Sequence, residues 1–417
     1  MTPVSKLVVG STFGIYPPRG GGQLRIFHLY RQLARKCRVD VVSLVESDQQ
    51  PSRRQLAPGL TEIRIPKSEA HTYAEAEFRG LTRVPVTDVA FSQLHHLTPA
   101  FSEAVAACLE ADCVLVASHP YAFPAMRVVD DGADWWYDAH NVEVDLKGAM
   151  LPNGRIAKRL LAKIRAVERE CCGHARMVLA SCAEDAERLQ ALYRLPAGRL
   201  MVIPNGVEVS SIRFKPPTER RALTARLRMT QPLALFIGSW HEPNLLAARQ
   251  IVDLARQVPD VRFAIAGSVG IPLAQTERPA NIELFGVVSD ELKEALLSVA
   301  AVALNPMLHG SGTNMKMLDY MAAGIPVIST AVGARGLGLA LGTDLRIATP
   351  DRFGEALRAT LDEPGELADE RARATRRKIE ERFDWQVVTA PLLSAIGQRE
   401  GETNQSEAVG GRSAINA

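Results

Sequence analysis

The chain has 417 residues, 47% hydrophobic and 23% charged. These are values of a folded globular protein, and the length leaves room for two domains of roughly 150–200 residues each. The formal net charge is only +2, which gives no support to nucleic-acid binding. No apolar run reaches the roughly 18 residues of a membrane span, and the N-terminus lacks the charged-then-apolar pattern of a signal peptide. The expectation is therefore a cytoplasmic protein. Its six cysteines, at 37, 108, 113, 171, 172 and 182, form no CxxC pair and no zinc spacing with histidine, and read as ordinary, mostly buried thiols.

In chain order, Leu7 to Gly10 is a short apolar run and predicts a strand. The loop YPPRGGG follows, ending at Gly22. LRIFHLYRQLARK then places apolar residues at 24, 26, 27, 29, 30, 33 and 34, one face of a helix. VDVVSLV (39–45) is the next strand, and DCVLVAS (112–118), ADWWYDAHN (133–141), MVLAS (177–181) and LMVIPNGV (200–207) are others. RIAKRLLAKIRAVERE (155–170) is a helix. The alternation argues parallel strands joined by right-handed crossovers. PPTERRALTARLRMTQP (216–232), charged and bounded by prolines, predicts the interdomain linker.

The pattern then restarts. LALFIG (233–238), RFAIAG (262–267), NIELFG (281–286), AVALNP (301–306) and IPVIST (325–330) predict strands. NLLAARQIVDLARQV, ELKEALLSV and TNMKMLDYMAAG (313–324) predict helices, the last stopped by Gly324. The charged helix ADERARATRRKIEERF and a segment from Trp385 close the fold. The small, polar residues after about 401 predict a disordered tail.

The stretch HGSGTNMKMLDYMAAGIPV (309–327) carries the strongest chemical signal. Gly310, Ser311, Gly312, Thr313 and Asn314 form a loop of small residues that opens a helix, a setting in which backbone N–H groups bind anions. Lys316 adds a full positive charge, and Asp319, one turn on, is placed to accept hydrogen bonds from sugar hydroxyls. The competing reading is a tight turn with a surface lysine. RGGG (19–22) also lies between strand and helix, where small residues let a backbone approach a ligand closely, although it does not match GxGxxG. His119 ends a predicted strand, on the ligand side of an open α/β sheet. His140, Asn141 and Glu143 follow another strand in the same way. A lone histidine or a flexible glycine loop would equally satisfy those positions. No G-x-S-x-G elbow, Walker loop or Asp-x-Asp triplet occurs. The helix 155–170 is basic on one side, through Arg155, Arg159, Lys163 and Arg169, and reads as a solvated face or as a surface for anionic lipid headgroups.

Taken in order, these segments resemble the family-4 (group 1) glycosyltransferases, from about residue 7 to 395. The resemblance rests on GGG near the start, SHPYAFPA, YDAHNVE, VLASCAEDAERL with MVIPNGV, LFIGSWHEPN, FAIAG, IELFGVV, GSGTNMKMLDYMAAGIPV and FDWQVV. It implies an α/β GT-B fold: two Rossmann-like domains facing across a cleft, with a C-terminal helix returning to the first. The implied boundaries are 1–214 for the acceptor-side domain, 215–383 for the nucleotide-sugar domain, 384–400 for the crossover segment and 401–417 for the tail.

The resemblance also implies roles. Gly21 and Gly22 would sit against the diphosphate of a nucleotide-diphosphate sugar, and His119 would contact the donor sugar near the reacting carbon. Gly238, Ser239 and His241, in the stretch after the first strand of the second domain, would border the donor. Gly312, Thr313, Asn314, Met315 and Lys316 would hold diphosphate and sugar, Asp319 the ribose, and the backbone near Val287 the base. His119 and Lys316 would be the catalytic pair. The implied reaction is retaining, free of metal or other cofactor, with front-face attack by an acceptor hydroxyl whose proton passes to a donor phosphate oxygen.

The acceptor, a glycan, lipid-linked or small-molecule hydroxyl, would draw on segment 67–110. Peripheral contact with the inner face of a membrane fits the basic helix. The family often has two glutamates separated by seven residues, where this chain has Ser311 and Asp319. It also commonly has an Arg and Lys pair, where this chain has His241 and Glu242. A nucleotide-sugar epimerase, a pyridoxal-phosphate phosphorylase or a non-catalytic nucleotide binder on the same fold are the rival expectations.

Overall fold

A computed structural model describes residues 4–82, 87–130, 132–309, 312–340 and 342–406. The chain divides into two compact units, residues 1–203 with 388 onward, and residues 204–387.

Among its described residues the first unit has eight strands: β1 (Lys6–Ser11), β2 (Arg38–Val45), β3 (Ser52–Ala57), β4 (Leu60–Pro66), β5 (Cys113–Ser118), β6 (Asp134–Ala139), β7 (Met177–Ala180) and β8 (Leu200–Val202). They lie in the order β3-β4-β2-β1-β5-β6-β7-β8, parallel except for the β3–β4 hairpin. β1 and β5 are buried along their whole length, as continuous apolar runs in a doubly covered parallel sheet must be. One face packs Val8, Val42, Leu115 and Tyr137 against Phe101, Phe123, Met126 and Leu189 from helices. The edge strand β3 is exposed and carries Arg53 and Arg54, charges that discourage pairing with another chain. β3 and β4 escaped the sequence reading because their apolar content is low.

From β1 the chain runs outward to β2 and β4 on one side, and from β5 to β6, β7 and β8 on the other. The direction reverses between β1 and β5. In open α/β sheets ligands bind at the carboxyl ends of the strands beside such a switch point.

Among its described residues the second unit has six parallel strands: β9 (Leu233–Ile237), β10 (Arg262–Ala266), β11 (Ile282–Gly286), β12 (Val302–Asn305), β13 (Val327–Ser329) and β14 (Arg346–Ile347). Their order, β11-β10-β9-β12-β13-β14, is the doubly wound arrangement 3-2-1-4-5-6, with its switch point between β9 and β12. One face packs Met317, Tyr320, Ile379 and Phe383, the other Phe236, Ile251, Phe263 and Phe353. Helix Met315–Ala322 ends at Gly324 as expected. There φ is +82° and an added Cβ would lie 2.6 Å from the Lys215 carbonyl oxygen, so only glycine fits.

Three sequence expectations are corrected. The presumed linker 216–232 holds a helix, Pro217–Arg226, that belongs to the second unit. Arg220 is 2% exposed, and its guanidinium donates to the carbonyls of Lys215, Leu297 and Ala323. Leu297 and Ala323 close the helices Asp290–Val299 and Met315–Ala322, whose negative dipole ends favour a cation. A charge-rich segment thus reads as a linker although its central charge is a buried staple.

The division between the units falls at 203/204 rather than 214/215. Val207 donates to the Phe383 carbonyl at 2.8 Å and accepts from Trp385 N–H at 3.3 Å, which ties PNGV to the second unit although it directly follows β8. The final helix, Trp385–Ser406, extends six residues into the expected tail. The remainder of that expectation, 407–417, lies outside the described residues.

Candidate functional site

In the first unit the loop after β1 leads into helix Gly21–Leu33, whose first turn contains Gly21 and Gly22. The glycines were expected to close the loop, and the structure places them inside the helix. The Gln23 side chain holds this entry: its Oε1 accepts from Arg19 N (3.0 Å) and Gly20 N (2.9 Å), and its Nε2 donates to the Gly14 carbonyl (2.8 Å). A Cβ on Gly22 would lie 2.9 Å from the Phe13 ring and 3.5 Å from His140 Nδ1. The glycine therefore admits two aromatic rings to the end of the sheet.

His119 follows β5 directly and is 8% exposed. Its backbone has φ +72° and ψ 146°, a region that a residue with a bulky side chain rarely adopts and that costs about 1–3 kcal/mol. Its Nδ1 lies 3.1 Å from the Ser118 carbonyl oxygen. Its ring centroid is 3.9 Å from that of His140 and 5.6 Å from that of Phe13.

His140 follows β6, with Nε2 3.0 Å from Ser118 Oγ and 3.4 Å from Asp138 Oδ2. Asp138, wholly buried, takes Arg25 Nη2 at 2.7 Å and Nε at 2.9 Å, both on Oδ1. Burial alone would raise the Asp138 carboxyl, but Arg25 and then His140 outweigh it and hold the carboxyl well below its usual range. Burial, reinforced by the neighbouring His119 and opposed by Asp138, pushes His140 down to about 3, so its ring is neutral at physiological pH.

Behind this cluster, Glu143 accepts from Tyr121 Oη at 2.9 Å and Asn141 Nδ2 at 3.3 Å. Lys147 donates to Asp88 at 2.7 Å. Glu143 is thus engaged in the scaffold, not presented at the sheet end.

In the second unit the loops after β9, β10 and β11 are stitched together. Gly238 N donates to the Ala266 carbonyl at 2.9 Å, Val269 N to the Gly238 carbonyl at 3.2 Å, and Trp240 N to Ser268 Oγ at 2.7 Å. A Cβ on Gly267 would fall 2.1 Å from the Gly238 carbonyl oxygen, so this crossing requires glycine. Ser239 and His241 are exposed, and His241 is the N-cap residue of helix Glu242–Gln257. Val287, just past β11, is 56% exposed.

Across the switch point, Gly312 (φ +67°), Thr313 and Asn314 lead into helix Met315–Ala322. Gly310 and Ser311 lie outside the described residues. Thr313 Oγ1 accepts from Asn205 Nδ2 at 2.7 Å, and Asn314 Nδ2 donates to the Gly333 carbonyl at 2.9 Å.

Lys316 reaches back over β9. Its Nζ donates to Asn244 Oδ1 at 2.6 Å and lies 4.3 Å from the centroid of the Phe236 ring. Both partners are neutral, and burial lowers Lys316 from its ordinary range to about 7. Asp319, three residues on, pairs instead with Lys293 at 2.7 Å, and this carboxylate raises Lys293. The site thus offers a cation whose charge no carboxylate among the described residues offsets. A phosphate group would supply that charge.

The structure brings Gly22 and His119 together at one switch point, and Gly238, Asn314 and Lys316 around the other. Phe13, Arg25, Ser118, Asp138, Asn205, Asn244 and Lys293 were not singled out from sequence. Ser118, Asp138, Asn205 and Asn244 stand within the stretches SHPYAFPA, YDAHNVE, PNGV and GSWHEPN, and that was their signal. Among the described residues no group of three or more His, Cys, Asp or Glu is placed to hold a metal ion.

Two Rossmann-like units, each with its ligand edge at a switch point, define an α/β protein of the GT-B class. The whole fold is similar to sucrose-phosphate synthase from Thermosynechococcus elongatus, with a TM-score of 0.72 and 16% identity over 96% of this chain and 100% of that one. It is also similar to Anabaena HepE in complex with UDP, with a TM-score of 0.62 and 12% identity over 96% and 100% of the two chains. At such identities the likeness shows the fold alone.

Residues 20–206 match the family model described as glycosyl transferase 4-like domain, and residues 231–363 the model described as glycosyl transferases group 1. D-inositol 3-phosphate glycosyltransferase of Xylanimonas cellulosilytica is 26% identical over 412 residues, 91% of this chain and 92% of that one. Phosphatidyl-myo-inositol mannosyltransferase of Mycolicibacterium smegmatis is 29% identical over 233 residues, 50% and 56% of the two chains. The chain belongs to the group 1, family-4 glycosyltransferases and is a transferase enzyme.

Proposed function

We propose that this protein is a metal-independent, retaining glycosyltransferase that moves a sugar from a nucleoside-diphosphate sugar to a hydroxyl of a sugar-like or cyclitol acceptor. The observation that carries the reading is Lys316, set at the switch point of the second unit with Asn244 and Phe236 as its partners among the described residues. In this reading the ammonium meets the diphosphate, and the N–H groups of Gly312 to Met315 at the helix start add their dipoles. Charge grows on the leaving diphosphate as the anomeric carbon–oxygen bond breaks, and stabilising it there lowers the barrier. Gly238, Ser239 and His241 border the same ligand, Asp319 takes the ribose, and the backbone at Val287 faces the base.

In the first unit, Gly21 and Gly22 offer amides to the diphosphate, and His119 meets a sugar hydroxyl near the reacting carbon. The acceptor oxygen attacks the face that the diphosphate leaves, its proton passes to a phosphate oxygen, and the anomeric configuration is kept. The acceptor class draws support from relatives named for inositol phosphate and phosphatidyl-inositol, and from a structural neighbour named for sucrose phosphate.

No helix among the described residues is long and apolar enough to cross a membrane. The exposed cations Arg155, Lys158, Arg159 and Lys163 on helix Arg155–His174 support a peripheral contact with anionic lipid, which vesicle co-sedimentation tests.

The test of the main reading is a screen of nucleoside diphosphates by thermal shift, followed by release of the matching diphosphate from its sugar donor. A specific ligand raises the melting temperature by mass action. Unchanged diphosphate release in Lys316→Ala would remove the assigned role.

A further inference from the structure

His119 holds a backbone conformation that its own sequence neighbourhood does not favour, so something outside that neighbourhood must fix it. The only acceptor within reach of its Nδ1 among the described residues is the Ser118 carbonyl oxygen, which cannot donate. Nδ1 therefore carries the proton in the neutral ring, and Nε2 keeps its lone pair. In free neutral histidine the other tautomer predominates, so the site selects the minor form.

Beside the Phe13 ring at 5.6 Å and the bond from His119 N to the Asp138 carbonyl at 3.4 Å, His140 supplies a further restraint. Its ring lies against His119 at 3.9 Å between centroids. Its Nε2 faces Ser118 Oγ and an aspartate that can only accept, so Nε2 carries the proton. Asp138 is in turn fixed by Arg25, which also donates to the Ile203 carbonyl at 2.9 Å, and by Tyr30 Oη at 3.3 Å. Arg25 stands on the helix that begins with Gly21 and Gly22, and Gly22 borders His140 Nδ1. One continuous set of bonds thus ties the glycine turn on one side of the switch point to His119 on the other. A wholly buried ion pair is weak evidence for stability in itself, so its use as an anchor accounts better for its presence.

The geometry points to His140 as a positioning residue: anchored by Asp138 and Arg25, it sets the orientation and tautomer of His119, so that His119 presents Nε2 as a hydrogen-bond acceptor to a substrate hydroxyl. This inference rests on the reading of His119 as a substrate contact. It adds that the contact accepts a hydrogen bond and that its direction is set from the glycine helix.

The decisive test needs no substrate. Two-bond proton–nitrogen spectra of the full chain with labelled histidine, assigned by single-residue replacement, read each ring's tautomer. In the parent, His119 is expected as the Nδ1–H form and His140 as the Nε2–H form. In His140→Phe, which keeps a ring but loses both bonds, His119 should relax to a mixture dominated by Nε2–H. If His140→Phe does not fold, Ser118→Ala, which removes one of the two partners of His140 Nε2, is read in its place. A His119 that stays in the Nδ1–H form in the variant overturns the proposal.

With the donor found by the screen, kcat for diphosphate release should fall about 100-fold in His140→Phe while the donor KM stays within about twofold. His140→Gln, which restores an amide donor near the Nε2 position, should recover part of the loss. Parent-like turnover in His119→Ala would instead overturn the substrate-contact reading, while the spectra still decide whether His140 sets the ring.

Discussion

The two switch points use charge in opposite ways. In the first unit Arg25 and Asp138 cancel each other inside the protein, and what reaches the sheet end is a pair of rings with fixed hydrogens. In the second unit Lys316 is held by an amide oxygen and a ring face, and no carboxylate among the described residues offsets its charge. A compensated buried pair fixes position, because moving either partner strands the other. An uncompensated cation does the reverse: its depressed pKa records free energy that an incoming anion recovers. In the proposed reaction the first kind of residue sets geometry and the second meets the leaving group.

Breaking the compensated pair should have the largest effect. Asp138→Ala leaves the Arg25 guanidinium buried without a counter-charge, and a loss of about 3–5 kcal/mol is expected. Denaturant unfolding followed by near-ultraviolet signals from the first unit's Trp135 and Trp136 measures it. Lys316→Ala should leave stability nearly unchanged and lower diphosphate release about 10²–10³-fold, the usual scale for removing one electrostatic stabiliser. If the melting temperature collapses while turnover per folded molecule holds, the contrast between the two regions is wrong.

Gly206→Ala sharpens the boundary between the units. The new Cβ would sit 2.7 Å from the Trp385 ring and 2.9 Å from the Phe383 carbonyl oxygen, and a cost of about 1–3 kcal/mol is expected in thermal unfolding.

A pH titration gives a smaller, signed effect. Free Lys316 titrates near 7, and a bound diphosphate raises that value. Below pH 7 the ammonium is already charged and affinity should be flat. Above it, binding must draw a proton from solution, and Kd should rise about tenfold per pH unit until the value of the complex is reached. Calorimetry of nucleotide binding, with Lys316→Ala as the reference that cancels the ligand's own titration, isolates the effect. The smallest change belongs to the cationic helix face. Arg155→Gln with Lys158→Gln, both exposed, should move stability by no more than about 0.5 kcal/mol.

Much of the frame was legible in the chain. Strands such as KLVVGS and CVLVAS are apolar throughout because a parallel sheet covered on both faces leaves no side for water. Gly324 marked its helix end because a positive φ admits little else. His119 could be singled out because it stands at the carboxyl end of a strand, which periodicity shows, and Lys316 because a loop of small residues opens the helix that carries it. Helix Pro217–Arg226 and the hairpin Ser52–Pro66 were not legible. The helix and the hairpin's first strand have exposed charged faces with the composition of a linker, and the buried Arg220 of that helix is satisfied by carbonyls 77 and 103 residues away.

The sequence by itself determined the alternation of strands and helices, the two-unit plan, the family and the small-residue loop before Lys316. These follow from local periodicity and from residues close together in the chain. Only the tertiary structure decided which charges meet a counter-charge inside the protein and which do not. Arg25 meets Asp138 across 113 residues and Lys293 meets Asp319 across 26. A carboxylate looks the same in the sequence whether or not a cation reaches it. Partnership depends on where the sheet order brings strand ends and helices together, and strand order is a property of the folded chain.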